Sequence, residues 1–366
     1  MTGRTDILLK EVREVLEWDI LKFWSGMQDP RGGFYGKIAE GLAADKDADR
    51  EEQLNARIIW AFSNAYRIFH KKEYLMPAMN GKDYFIQHFI DHKYGGAFVY
   101  VDSWGEKKDT DALLSNQALA IYALSEFYGA TKDDESLKQA INIYKIVEKE
   151  FHDLKLGGYK EVLSRDFTPK DESKVAVSHL YLLESYSNLY RVWKDPSLRG
   201  VIADLIDVMV SEFFNPTTGH LEPRFGKEWN LVPSGCLYGL DLEASWSILD
   251  AAYAIHDMDV INHVKDTCLQ LYKAGMDGMS GEGFVVLSKD ADGEIDNQMV
   301  PWVQAEALIA NLCAWKYQSV PEGADFAMRI WDYIKEHLND SVDTIAFRMF
   351  PMHDARACVQ VMNIFR

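Results

Sequence analysis

The chain has 366 residues, is 48% hydrophobic and 26% charged, and sets 39 Lys and Arg against 57 Asp and Glu, for a formal net charge of −18. Such a composition excludes a disordered or fibrous chain, and so acidic a surface repels phosphate backbones, which argues against nucleic acid as a partner. Ten Trp and eighteen Tyr exceed what a plain helical core needs and suit a concave site that stacks on the apolar faces of sugar rings.

Apolar residues at i, i+3, i+4 and i+7 predict helices over 6–24, 53–71, 74–91, 113–128, 136–151, 175–193, 199–214, 241–256, 259–274, 302–317, 324–338 and 354–365, with 74–91 and 354–365 the weakest patterns. Short extended stretches between helix pairs, such as Phe98-Val99-Tyr100-Val101 and Phe284-Val285-Val286-Leu287, predict small hairpins. A glycine followed closely by an aromatic recurs at Gly33-Phe34-Tyr35, Gly96-Ala97-Phe98, Gly158-Tyr159 and Gly283-Phe284, with Gly219-His220-Leu221 and Ala346-Phe347 as looser copies. The steps of 61 to 64 residues make six units of two helices each. The second helix type, as in Ala118-Leu119-Ala120-Ile121-Tyr122-Ala123-Leu124, is apolar on most faces and therefore buried. The other type carries charge, as in Asp133-Asp134-Glu135-Ser136-Leu137-Lys138. Six inner helices, beginning near 53, 113, 175, 241, 302 and 354, within six outer ones make an all-α (α/α)6 barrel with short hairpins in its loops. A linear solenoid of helix pairs is the alternative. With no Pro/Ser-rich linker, one domain spanning 1–366 is expected.

Cys236, Cys268, Cys313 and Cys358 are far apart and form no CxxC, so buried free thiols in a reducing compartment are expected rather than zinc or a redox motif. The start, Met1-Thr2-Gly3-Arg4-Thr5-Asp6, leads into an amphipathic stretch without an uninterrupted apolar core. No run reaches the length of a membrane span, and the expected location is the cytoplasm. There is no phosphate-binding glycine motif. Only His88 and His92 stand four apart, with no HExxH glutamate between them, so neither a cofactor nor a metal is expected. The other histidines of outer helices and loops read as structural, while His220, just after a repeat glycine, stays open between structure and site.

Polar residues gather near the start of every inner helix: Asn55 and Arg57; Asn116 and Gln117; His179; Asp241 and Glu243; Gln304 and Glu306; His353, Asp354 and Arg356. In a closed barrel these starts share one mouth, where helix N-termini favour an oxyanion or a hydroxyl-rich ligand. Tyr35, Trp104, Trp229 and Trp302 are candidate walls. The competing reading is that each polar residue is an N-cap or a buried, bonded group of the fold.

Several of these segments carry a resemblance: Asn55-Ala56-Arg57-Ile58-Ile59-Trp60, Asp241-Leu242-Glu243-Ala244-Ser245-Trp246, Gln304-Ala305-Glu306-Ala307 and Pro351-Met352-His353-Asp354-Ala355-Arg356. The chain from about residue 10 to its end resembles the N-acylglucosamine 2-epimerase superfamily, and most nearly its cellobiose 2-epimerase branch. The resemblance implies an (α/α)6 barrel and cofactor-free proton transfer at C2 of an aldose or of the reducing-end sugar of a disaccharide. It implies His353, Glu243 and Arg57 as catalytic residues, with Asn116, His179, Tyr181, Asp241, Trp302 and Glu306 against the sugar. The match is incomplete. Leu240 stands where the family has its other catalytic histidine, Tyr181 replaces the last histidine of Asn-Thr-His-Leu-His, and Ser115 replaces a tyrosine.

Epimerisation needs proton transfer on both faces of C2, whereas aldose–ketose isomerisation needs one base on one face. With His353 present and Leu240 inert, one-base isomerisation is a reading beside epimerisation. A sugar-binding homologue without catalysis, or an inverting glycosidase using Asp241, Glu243 or Glu306, are the alternatives. The expected partner is a small carbohydrate, and the chain is expected to be a monomer or homodimer.

Overall fold

The computed structural model describes residues 2–38, 43–337 and 349–365. The helices, in chain order, are α1 (Thr2–Glu14), α2 (Lys22–Ser25), α3 (Glu52–Phe69), α4 (Lys72–Tyr84), α5 (Leu114–Thr131), α6 (Asp134–Ile146), α7 (Ala176–Val192), α8 (Pro196–Val208), α9 (Tyr238–Ala254), α10 (Met258–Met276), α11 (Pro301–Tyr317), α12 (Gly323–His337) and α13 (Pro351–Ile364). Every helix expected from periodicity is present, including the two weakest, and the inner helices are α3, α5, α7, α9, α11 and α13.

Their sequences explain the division. In α5 every residue from Leu114 to Phe127 is buried, and in α9 every residue from Tyr238 to Leu249. A helix apolar or small all round has no face to give to water. Outer helix α12 buries Ala327, Ile330, Trp331 and Ile334 and exposes its charged side, the stripe expected of a helix packed on one face only.

The chain forms two compact units. In one, Trp24–Val208 with Phe225–Leu231, α3 packs beside α5 and α5 beside α7, and α4, α6 and α8 cover them in turn. In the other, Met1–Phe23 with Met209–Arg224 and Val232–Arg366, α9 packs beside α11 and α11 beside α13, and α10, α12 and α1 lie against these. The contact of α1 with α13 joins the first helix of the chain to the last. Nearby, Trp331 Nε1 donates to Glu11 Oε2 at 2.9 Å and Lys335 Nζ to the same carboxylate.

Short antiparallel strands lead into the inner helices and tie each to the following repeat. Residues 50–51 pair with 100–101, 112–113 with 162–163, and 236–237 with 288–289. The repeat glycines have a physical reason: Gly33, Gly96, Gly158, Gly219 and Gly283 all take positive φ, a conformation costly for other residues. The sixth copy, Ala346-Phe347, lies outside the described residues. A π-helical turn follows α4, α6 and α8 at Phe85–Phe89, Val147–Phe151 and Met209–Phe213, and another follows α1 at Val15–Leu21. Among the described residues no helix is long and apolar enough to cross a membrane.

Candidate active site

The polar residues at the inner-helix starts divide into three groups with different work. The first holds the glycine loops. Gln117 accepts the Ala97 N–H at 2.7 Å and donates to its carbonyl at 2.9 Å, and Gln304 does the same with Val285 at 2.9 and 2.7 Å. His179 Nε2 accepts the Tyr159 N–H at 2.9 Å, while its Nδ1 donates to the Val175 carbonyl at 2.8 Å. Asp241 accepts the Leu221 N–H at 2.8 Å and the His220 Nδ1–H at 2.7 Å. Four successive repeats thus clamp the same loop position with a residue 19 or 20 places further on.

His179 and Asp241, expected against the sugar, are both engaged by these loops. Both nitrogens of His179 are bonded to backbone, and burial pulls its pKa down to about 3, so it stays neutral and structural. Asp241 is pushed up to about 6 by burial, and its hydrogen bond raises His220 to about 10, so the two form an ion pair at neutral pH. His220 therefore belongs to the fold. The register that sequence analysis reads as a site is, for these four repeats, a repeated loop clamp.

The second group lies in the unit that contains α9, α11 and α13. His353 Nδ1 donates to Glu306 Oε1 at 2.8 Å, and Arg356 Nη2 donates to the same oxygen at 2.7 Å and to Glu243 Oε1. All four side chains are almost fully buried. Trp246 closes one flank: its Nε1 donates to Glu306 Oε2 at 2.9 Å, and the Arg356 guanidinium lies 4.9 Å from its ring centroid. Trp302 rests 5.8 Å, centroid to centroid, from the His353 ring. It has room because residue 239 is glycine, where a Cβ would come 2.7 Å from the Trp302 ring.

The electrostatics are one-sided. Burial alone would raise the Glu306 pKa, but the Arg356 charge and then the His353 bond hold it down to about 2. Glu306 is thus a permanent carboxylate that fixes the proton of His353 on Nδ1 and makes Nε2 the proton-accepting nitrogen. Glu243, Glu306 and His353 bring ligand atoms within 4.8 Å of one another and so could hold a metal ion. Arg356 Nη2, which bonds both carboxylates, already sets a cation of the chain between them. The same closeness does not suit Glu243 and Glu306 as the pair of an inverting glycosidase, whose two carboxyl groups stand about 6.5–9.5 Å apart to admit a water.

In the other unit, the starts of α3, α5 and α7 bring together Glu52, Gln53, Arg57, Asn116 and Tyr181. Arg57 Nη2 donates to Tyr181 Oη at 3.4 Å, and Gln53 Nε2 to Asn116 Oδ1 at 2.9 Å and Ser115 Oγ at 3.1 Å. Glu52 is fully buried with neither carboxylate oxygen hydrogen-bonded, and Asn116 Nδ2 and Arg57 Nε are buried without partners too. Burial and then the Glu51 charge push the Glu52 carboxyl well above its usual range. Such a group costs about 1–3 kcal/mol, the kind of expense that marks a functional position.

Arg356, Trp246 and Glu52 are absent from the sequence-derived catalytic set. Arg356 had a usable signal, since it stands three residues after His353 on one helical face. Glu52 had no signal that sets it apart from its neighbour Glu51. Of the candidate walls, Trp104 is exposed beneath Arg31, and Trp229 donates from Nε1 to the Leu156 carbonyl at 2.8 Å.

Comparison with known proteins identifies the family and the fold. A family model described as N-acylglucosamine 2-epimerase matches residues 33–356. A cellobiose 2-epimerase of Bacteroides fragilis is 31% identical, over 98% of this chain and 99% of its own. The solved cellobiose 2-epimerase of Bacillus thermoamylovorans is 30% identical with a TM-score of 0.91, over 98% of this chain and 99% of that one. A D-mannose isomerase, 16% identical over 99% and 98% of the two chains, shares the fold at a TM-score of 0.85. The fold class is the helical barrel that the repeats predict.

Proposed function

The chain belongs to the N-acylglucosamine 2-epimerase family, and from that premise we propose that it is a carbohydrate epimerase or isomerase working at C2 of an aldose, or of the reducing-end sugar of a disaccharide, through an enediolate. The observation that carries this reading is the bond from His353 Nδ1 to the permanently ionised Glu306. His353 Nε2 takes the proton from C2 of the open-chain sugar. The C2–H electron pair becomes the C1=C2 bond, and the carbonyl oxygen on C1 gains the charge. Arg57 keeps the part that the resemblance implies for it, balancing that charge, and Glu243 supports Arg356 beside the base.

The fate of the proton depends on Leu240. It stands one residue before Asp241, as His353 stands one before Asp354 and Asn116 one before Gln117, so it holds the same repeat position without a proton to give. Return of the proton by His353 to C1, with the hydroxyl proton passing from O2 to O1, yields a ketose on one base. Asn116, Tyr181 and Trp302 are proposed to contact the sugar.

The test is incubation with aldoses and disaccharides in deuterated water. Deuterium at C2 of recovered aldose, or at C1 of a ketose product, is the expected result. No exchange with any sugar would leave a binding protein instead.

A further inference from the structure

The inner helices of one unit have a second end. Where α9, α11 and α13 finish, they enclose a cavity of about 310 Å³ lined by Trp246, Asp250, Tyr253, Tyr317, Gln360 and Asn363 among others. That volume is at the small end of ligand pockets, which span about 300–1,000 Å³. It lies away from the base: His353 is in the first turn of α13, and Gln360 is seven residues on, about 10 Å along the axis.

The lining chemistry is specific. Tyr253 and Tyr317 are 40% and 48% exposed, although Tyr253 sits on an inner helix whose other aromatics, Tyr238 and Trp246, are buried. The Tyr253 and Tyr317 rings stand 6.2 Å apart at the mouth. Trp246 forms the inner wall, and Gln360 and Asn363 supply carboxamides. Helix C-termini present carbonyls, which accept from hydroxyl groups. Asp250 adds a carboxylate to the lining, an acceptor for sugar hydroxyls. Lys316 Nζ donates to the Ile364 carbonyl at 2.5 Å and sits 5.5 Å from the Tyr317 ring centroid. Aromatic faces beside a carboxylate, carboxamides and helix-end carbonyls match the apolar faces and many hydroxyls of a neutral pyranose.

Trp246 connects the two ends. The indole that walls this cavity also donates to Glu306 Oε2, so whatever packs on it presses on the residue that orients His353.

We propose that this cavity is a second binding site, for a neutral monosaccharide, and that its occupant acts on the His353–Glu306 pair through Trp246. The binding half stands by itself; the effect on turnover rests on the proposed function.

The probe is anhydroglucitol, a glucose analogue that lacks the anomeric hydroxyl and so cannot open to an aldehyde or be turned over. Calorimetric titration of the full chain should show a binding component that Tyr317→Ala weakens roughly tenfold or more and that Leu249→Trp, which fills the cavity, removes. In exchange assays the probe should change the maximal rate, and Tyr317→Ala should abolish that change. Purely competitive inhibition, or binding indifferent to both substitutions, overturns the proposal, as does binding only by a cationic amine. If the wild type exchanges no proton with any sugar, the functional reading fails, and the cavity is judged by titration and by the His353 ring resonances. A probe-induced shift of those resonances that is lost in Tyr317→Ala upholds the link; no shift refutes it.

Discussion

Replacing His353 by Asn keeps a donor toward Glu306 Oε1 and removes the nitrogen that accepts a proton. Exchange at C2 should fall roughly 10²–10⁴-fold, measured by deuterium uptake, and activity surviving the change would move the base elsewhere. Leu240→His places a titratable ring at the equivalent repeat position. The ratio of 2-epimer to ketose among the products should rise, and an unchanged ratio would mean that Leu240 does not face the sugar. Glu52 offers a thermodynamic test. A carboxyl whose pKa is raised on folding is a group the native state keeps protonated, so its presence lowers stability as pH rises above the unfolded value of about 4.3. Glu52→Leu should therefore raise the unfolding free energy by about 1–3 kcal/mol at neutral pH, with a gain that shrinks toward pH 4, while exchange declines. Equal stability of the two proteins at both pH values would show that Glu52 is solvated. Glu306 has the opposite sign: its depressed pKa contributes stability above about 4.3 that is lost as pH falls toward about 2.

At the level of elements, the loop clamps carry the prediction. Gln304→Leu leaves the Val285 N–H and carbonyl buried without their partner, at about 1–3 kcal/mol for each group. A drop of that size in denaturant unfolding is expected, and a neutral result would mean that the loop closes without its clamp. These clamps also show how far the sequence could be read. Helix periodicity survives in sequence because burial acts on every residue of a helix, so even 74–91 and 354–365 emerged. The repeat glycines were visible because positive φ restricts residue type. What sequence could not separate was Asp241 from Glu243, or Gln304 from Glu306. Two residues along a helix turn the side chain by most of a half-circle, so one bonds the loop and the other joins His353. A one-dimensional list of polar residues treats them alike. His353, Glu243 and Arg356 stand in sequence motifs, whereas the burial of Glu52 depends on neighbours supplied by other helices.

For the whole molecule, α1 lies in the same compact unit as α13, and that unit draws on three separate stretches of chain. A single cooperative unfolding transition is the expected behaviour of one domain over 1–366, followed by calorimetry together with near-ultraviolet circular dichroism. Two resolved transitions would show that the two units melt independently. The outer helices hold a different kind of information. A π turn contains one residue more than the α turn it replaces, and here it recurs at 62-residue steps, each time ending on a buried phenylalanine: Phe89, Phe151 and Phe213. The corresponding helix α10 is α-helical throughout from Met258 to Met276, so a helix pair of this chain closes onto its loop with or without the extra residue.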